Sequence, residues 1–161
     1  MRTLTLFFIA TAFIFTACSS EVKKLPYNLE ISHKGIGLIN SETPFETAII
    51  SSKLLGFDAQ KFTFFEAGTP RPIIRVTFND KEMALIYPTK NLKLIHSIIV
   101  LNSDVKNFDA TIGMNLEDIN QKKFTCKSSD EDITCKLNYS NTLEYLFKNK
   151  ILKEIIWTPI R

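Results

Sequence analysis

Residues 71–87, RPIIRVTFNDKEMALIY, contain two apolar runs on either side of a short polar segment. The runs at 73–78 and 83–87 are rich in β-branched and other apolar residues, a composition typical of strands. Asn79, Asp80 and Lys81 between them form a turn sequence. The stretch therefore predicts two antiparallel strands joined by a tight turn.

Strand-like runs also lie on both sides of this stretch. Residues 61–66 precede it and residues 94–101 follow it, and Gly68, Pro70 and Pro72 mark the turn before its first strand. Four strands in series predict an antiparallel meander with one face packed against a helix.

A helix is predicted before the meander. Thr43 is the candidate N-cap, Pro44 the first helical residue and Glu46 the third, which together form a capping box. Gly56 is a candidate C-cap. Helical spacing places the following side chains on one face: Phe45, Ala48, Ile49, Ser52 and Leu55.

The second half of the chain partly repeats this pattern. Asn115 is a candidate N-cap with Asp118 at the third position, and Met114 and Ile119 are placed as a hydrophobic staple for a short second helix. Further strands are predicted at 123–126, 134–139, 143–147 and 153–157. The predicted fold class is α+β, with antiparallel β-meanders and two short capped helices. Because a glycine, a capped helix and a meander occur twice, we hypothesise a degenerate internal duplication.

A glycine-containing strand is predicted near the start of the domain. Leu29 and Ile31 alternate with polar residues and lead into Gly35-Ile36-Gly37-Leu38. Glycines within a strand mark a bulge or a close approach of backbone. A nucleotide-binding loop is the alternative interpretation of Gly-x-Gly, but the third glycine and an immediately following helix are absent.

Residues 1–17 have the order of a bacterial signal peptide. Arg2 supplies a positive start, and the apolar run at 4–15 is shorter than the roughly 20 residues that cross a bilayer. Residues 15–18, Phe-Thr-Ala-Cys, resemble a lipoprotein lipobox, although leucine is usual at the position of Phe15. We predict cleavage before Cys18 and acylation of that cysteine; a buried helix is the alternative. Ser19 resembles the signals that direct lipoproteins to an outer membrane.

These features divide the chain into three parts. We predict a signal peptide at 1–17, a lipidated cysteine with its tether at 18–28, and a single domain at 29–161 that faces the periplasm. The formal net charge is +3, with basic and acidic residues interspersed. Nucleic-acid binding is not predicted, because that function needs a clustered basic face.

Assigning Cys18 to lipid leaves Cys126 and Cys135 as a pair. The segment between them is polar and both flanks have strand character, so we predict a β-hairpin closed by a disulfide in an oxidising compartment. A metal or redox site is the alternative, but the spacing is too wide for a zinc knuckle and is not Cys-x-x-Cys.

The candidate functional residues are few. The predicted interaction surface consists of Gly35, Gly37, Glu66, Arg71 and Arg75. Alternation along the strand places Phe65 opposite Phe64, so at least one of the two rings is expected in the core. Residues 128–132 carry oxygen ligands without the spacing of a calcium loop, and the histidines at 33 and 96 lack a nucleophile motif. The sequence predicts no metal, no cofactor and no enzymatic activity.

With these residues located, the chain resembles the RpoE-regulated lipoprotein family of Gram-negative bacteria over about residues 31–157. The resemblance rests on the following segments: GIGL at 35–38, TP at 43–44, FFE at 64–66, IVLNSD at 99–104, IG at 112–113, the two cysteines 126 and 135, and IIW at 155–157. It implies an outer-membrane lipoprotein tied to the envelope stress response, without an assigned enzymatic activity.

Two functions from different classes follow. The favoured hypothesis is a non-enzymatic interaction or structural module, held at the membrane by its lipid and contacting an envelope protein through a sheet edge or the Gly35–Gly37 region. The alternative is a carrier of a small apolar ligand, with a pocket between helix and sheet. The first predicts an exposed apolar patch or an unpaired strand edge, and the second predicts a cavity.

Overall fold

An eight-stranded antiparallel sheet dominates the computed structural model, which describes Leu25, residues 28–129 and residues 132–160. A two-stranded hairpin and one α-helix precede the sheet along the chain. The hairpin strands are β1 (Ile31–Ser32) and β2 (Gly35–Ile36), and helix α1 spans Thr47–Lys53. The sheet strands are β3 (Asp58–Glu66), β4 (Thr69–Phe78), β5 (Lys81–Pro88), β6 (Ile95–Val100), β7 (Phe124–Ser129), β8 (Asp132–Leu137), β9 (Leu143–Lys148) and β10 (Ile151–Trp157).

The sheet consists of two four-stranded meanders that meet through their last strands. The strand order is β3-β4-β5-β6-β10-β9-β8-β7. In the central pair, Ile155 lies opposite Val100 and Trp157 opposite Ile98. The first strand of each meander, β3 or β7, therefore lies at an outer edge of the sheet.

One face of the sheet carries the core. Alternate residues such as Ile74, Val76, Ile98 and Val100 are fully buried, as strand periodicity requires. Residues from three other regions complete the same cluster: Ile31 and Ile36 from the hairpin, Ile50 and Leu54 from the helix, and Val105, Ala110 and Ile119 from the connection between the meanders. The sheet thus has one face covered by short elements and loops.

The predicted α+β class with two helices is wrong. The fold is predominantly antiparallel β with one short α-helix in the described residues, and the hypothesis of a duplicated helix–meander unit loses its second helix. The segment after Gly113 forms turns because its backbone pairs with the last hairpin of the sheet: Gly113 N–H donates to Leu152 O and Leu116 N–H to Lys150 O, both at 2.8 Å. The nearest helical element is a single 3₁₀ turn at Gln121–Lys123.

The first helix exists, but its start and buried face differ from the prediction. Pro44 forms an isolated bridge with Leu94, and Phe45 N–H donates to Lys93 O at 2.9 Å, so this segment is extended and the helix begins later. The N-cap is Glu46, without a side-chain hydrogen bond. The buried helical face consequently carries Ile50 and Leu54, while Leu55 and Ala48 point to solvent.

The predicted disulfide is present. Cys126 and Cys135 lie directly opposite each other on β7 and β8, with their Cα atoms 4.0 Å apart. It joins the edge strand β7 covalently to its neighbour. The predicted signal peptide, the lipidated Cys18 and most of the tether lie outside the described residues.

Candidate functional site

The residues predicted to form one interaction surface lie in two regions. Arg71 and Arg75 lie on β4, next to the sheet edge, and the backbone of Glu66 pairs with Thr69 at the end of β3. Gly35 lies in β2 and Gly37 directly after it. The clefts at these two regions share no lining residue. We call them the edge surface (β3 and the adjoining groove on β4–β6) and the N-terminal face (the surface around residues 28–38).

The edge strand β3 extends beyond the core. It pairs with β4 over all nine of its residues, from Asp58 opposite Thr77 to Glu66 opposite Thr69, and no described strand pairs with its other side. Phe65 is 73% exposed, and Phe64 is only half-buried. The expectation that one of these two phenylalanines is in the core is therefore wrong, because the β3–β4 hairpin projects past the layer that covers the sheet.

Arg75 is held by its neighbours on the outer face. Its Nε lies 3.0 Å from Glu82 Oε1, outside hydrogen-bond geometry, so the contact is an ion pair. Its guanidinium carbon lies 4.3 Å from the centre of the Phe62 ring, a cation–π contact. These contacts order the β3–β4–β5 surface beside the edge.

A groove of about 590 Å³ adjoins this edge. Its aromatic wall is Phe64 packed edge-to-face on Tyr87, with ring centres 6.1 Å apart. Arg71, Lys90 and His96 also line the groove, and its described lining contains no carboxylate. The groove thus combines aromatic and basic groups next to an open strand edge.

Gly35 has a structural role in the N-terminal hairpin. Its φ is +133°, and a Cβ at this position would lie 1.9 Å from the backbone oxygen of Ile39. Any side chain would therefore break the turn. The glycine signal in the sequence is explained by this close approach of backbone, without a ligand.

Exposed leucines lie beside Gly37. Leu38 and Leu55 are each 69% exposed and line an open cleft of about 500 Å³ together with Asn28, Gly37 and Lys53. The Lys53 ammonium donates to Leu38 O at 3.3 Å. The sequence interpretation missed this patch because it placed Leu55 on the buried side of the helix.

A polar network stabilises the connection between the meanders. Asp109, whose side chain is 7% exposed, accepts hydrogen bonds from Tyr139 Oη at 2.8 Å and Lys123 Nζ at 3.2 Å. Asn107 Oδ1 accepts from Tyr145 Oη at 3.0 Å. Burial and the nearby Asp109 carboxylate raise the pKa of Tyr145, so this phenol stays protonated as a donor.

The polar groups that share a cleft with His33 are already bonded to other residues. His33 shares a small cleft with Asp109 and Ser140, but Asp109 binds Tyr139 and Lys123, and Ser140 Oγ lies 2.9 Å from Thr142 Oγ1. Among the residues that the structure describes, no group of three His, Cys, Asp or Glu side chains could hold a metal ion. No helix in the described ranges has the length and apolar character to span a membrane.

The described residues define a mainly antiparallel β protein with two outer strand edges, β3 and β7, and one exposed apolar face. No protein-family model matches the chain, and no curated protein matches it significantly.

Among solved structures, the crystal structure of the uncharacterized protein yfeY from Escherichia coli is similar, with a TM-score of 0.62 and 22% sequence identity. The similarity covers 82% of this chain and 99% of that chain. At this level of identity, the likeness shows a shared fold.

Proposed function

We propose that this chain is a lipid-anchored, non-enzymatic envelope protein that binds an extended segment of a partner protein along β3. The observation that carries the proposal is the open edge of this nine-residue strand. An exposed edge can accept a partner strand through main-chain hydrogen bonds, while pockets beside it select side chains. Phe65 and the aromatic, basic groove provide such selective contacts.

The cellular setting is proposed from the sequence. The lipobox at 15–18 and Ser19 support an anchor on Cys18 in the outer membrane, with the domain facing the periplasm. The resemblance to RpoE-regulated lipoproteins supports a role in the envelope stress response. Cys18→Ser is expected to leave the protein unacylated and to release it from the membrane fraction, which mass spectrometry and fractionation would measure. A variant that stays as firmly bound as the wild type would contradict the anchor.

The alternative of an apolar-ligand carrier is less well supported. Its pocket was expected between helix and sheet, where Ile50, Leu54 and Phe57 pack in the same buried cluster as Ile74 and Val76. These side chains are at most 5% exposed and fill the space that a ligand would need.

Site-specific photo-crosslinking in cells tests the partner proposal. A photoreactive residue at Thr63, exposed on β3, is expected to capture an envelope protein in the full-length lipidated chain. The matched control is Thr125, an exposed threonine on the other edge strand, β7. A protein captured reproducibly from Thr63 and not from Thr125 would support the proposal. Equal capture from both positions, or none from Thr63, would contradict it.

Two arginine variants test whether the groove contributes to binding in addition to the strand edge. Arg71→Ala and Arg75→Ala are expected to weaken the crosslink from Thr63, because the first lines the groove and the second orders Phe62 beside it. If both variants crosslink like the wild type, the groove is not part of the binding site, whereas the strand edge still is.

A further inference from the structure

Exposed apolar side chains lie near β1, the first strand of the N-terminal hairpin. Leu38 and Leu55 line a cleft with Ser32, and Phe108 and Tyr139 line a second cleft that also includes Ser32. The two clefts therefore adjoin at Ser32. Phe108 is 94% exposed, and Tyr139 is 66% exposed. A contiguous group of exposed apolar side chains indicates a contact surface for another apolar body.

Hydrogen bonds hold Phe108 at the tip of an ordered loop. The side chain of the preceding Asn107 accepts from Asp109 N–H at 3.0 Å and Ala110 N–H at 3.1 Å, and it donates to Ile31 O at 3.0 Å. The following Asp109 is fixed by Tyr139 and Lys123. The phenylalanine is thus presented to solvent by a loop tied to the N-terminal strand.

Basic side chains border the apolar group. The Lys123 ammonium lies 5.3 Å from the centre of the Phe108 ring, and Lys53 contacts the backbone of Leu38. Lys34 and Lys106 are also exposed near the N-terminal strand. Two carboxylates are close by: Glu30 is exposed and lines the leucine cleft with Lys53, and Asp109 is paired with Lys123. Leucine, aromatic and lysine side chains together are typical of a surface that contacts anionic lipid headgroups.

The chain connection brings this same face to the membrane. Leu25 packs against the core, and Asn28 lines the leucine cleft. Only six residues lie between Cys18 and Leu25, so the seven steps from one to the other span at most about 25 Å even when fully extended. If Cys18 carries the lipid, the N-terminal face is held next to the bilayer.

We propose that the N-terminal face and the adjoining Phe108 loop dock together on the bilayer, with Leu38, Leu55 and Phe108 entering the headgroup region. This inference rests on the proposed lipid anchor and adds an orientation to it. The occupant of the face is a lipid surface with anionic headgroups. In this orientation the acyl chains and the inserted side chains both attach the protein to the membrane. Strand β3 remains available to a partner protein.

Depth-dependent fluorescence quenching tests the orientation. The full chain would be purified with its acyl chains, confirmed by mass spectrometry, and reconstituted in phosphatidylethanolamine–phosphatidylglycerol vesicles that contain spin-labelled lipid. Since Cys18 is acylated in the proposal and Cys126 and Cys135 are paired, Leu38→Cys, Leu55→Cys or Phe108→Cys would provide the single free thiol for an environment-sensitive dye. Leu92→Cys and Phe65→Cys are the controls, because both residues are exposed on the edge surface.

Dyes at 38, 55 and 108 are expected to be quenched by the lipid and to shift to shorter emission wavelengths, while those at 92 and 65 are not. Leu38→Ser with Leu55→Ser should reduce the quenching at position 108 without unfolding the domain, since both leucines are exposed. Equal quenching at all five positions, or quenching only at the controls, would overturn the docking. If the chain is acylated but its dyes at 38, 55 and 108 remain unquenched, the docking is overturned and the anchor is not. The same conclusion holds if a protein crosslinks to this face. A chain without acyl groups would overturn the anchor and the docking together, and capture from Thr63 would report on the partner independently.

Discussion

The two four-stranded meanders share one connectivity but have different edges. In β7–β10, the edge strand has six residues and is joined to its neighbour by the Cys126–Cys135 disulfide. In β3–β6, the edge strand has nine residues, and its far half projects beyond the core. An open, long and partly aromatic edge is a pairing hazard unless it has a partner or is protected. The difference between the two edges supports the proposal that a partner binds along β3, whereas β7 is tied to its neighbour by the disulfide.

Aromatic residues follow the same division. Tyr145, Phe147 and Trp157 of the second meander are at most 1% exposed, and the Phe124 ring packs edge-to-face on Tyr145 at 5.1 Å. Trp157 also donates from Nε1 to His33 O at 3.0 Å, which ties the last strand to the N-terminal hairpin. In the first meander, Phe62 and Phe65 are exposed. Phenylalanine is therefore a core residue at Phe147 on β9 and a surface residue at Phe65 on β3.

The largest expected effect comes from the same substitution made in each half. Phe147→Ala removes a fully buried ring from β9 and is expected to lower the free energy of unfolding by about 3–5 kcal/mol. Phe65→Ala removes a ring that is 73% exposed on β3 and should change that free energy by less than about 0.5 kcal/mol. Urea denaturation of both variants measures the difference. Similar losses of unfolding free energy in the two variants would show that the β3–β4 hairpin packs more tightly than its exposure indicates. The two meanders would then not differ in how their aromatic residues contribute to stability.

The disulfide provides the next largest expected effect. Replacing both Cys126 and Cys135 by Ala is expected to lower the free energy of unfolding by about 2–3 kcal/mol, since the closed loop is short. Urea denaturation of the variant and of the oxidised wild type measures this loss. Urea denaturation of the wild type under reducing conditions is the control, because it breaks the disulfide but keeps both cysteine side chains. An unchanged transition midpoint would mean that the backbone ladder alone holds the β7 edge.

The strands were predictable from the sequence, because their signal is local. Runs such as 73–78 and 83–87 contain apolar residues at strand spacing and are separated by turn residues, and each of the eight sheet strands overlaps a predicted run. Their antiparallel order within each meander follows from short connections. The join between β6 and β10 is a long-range pairing that no local pattern indicates.

The helices were less predictable, because tertiary backbone pairing overrode good capping sequences. Thr43 has the sequence of an N-cap, yet it is 2% exposed and its hydroxyl bonds with Asn40 in a turn before the helix. Asn115 likewise pairs with Ile151 instead of capping a helix. A capping sequence reports only the local preference, which pairing with a distant strand can exceed.

The sequence contained only part of the information about the candidate site. It gave Arg71 as a candidate residue and a sheet edge without specifying the strand, whereas it did not identify Leu38, Leu55 and Phe108 as exposed. The exposure of an apolar residue depends on whether a loop from elsewhere in the chain covers it. Sequence periodicity gives no information about that covering. Phe108, flanked by Asn107 and Asp109 in a polar turn, is the one member whose neighbours could have indicated exposure.

A smaller effect is expected at the loop that separates the halves. Asp109→Ala should lower the free energy of unfolding by about 1–2 kcal/mol, near the lower end for charge-assisted hydrogen bonds, because Lys123 and Tyr139 can still reach water. Asp109→Asn keeps the acceptor oxygen without the charge and should recover part of the loss. If Asn and Ala behave alike in urea denaturation, the charge supplies the stabilisation and the hydrogen bond to Tyr139 does not.

A further small effect is expected on β4, next to the β3 edge. Arg75 and Glu82 have side chains that are 43% and 39% exposed, so their ion pair is weakened by solvent screening. Arg75→Ala should therefore lower the free energy of unfolding by about 1 kcal/mol or less, with the contact to Phe62 contributing part of it. A double-mutant cycle with Glu82→Gln separates the ion pair from that ring contact. A coupling well above this range would show that the ion pair contributes substantially to the stability of this surface. Arg75→Ala could then no longer serve as a test of recognition with only a small effect on stability.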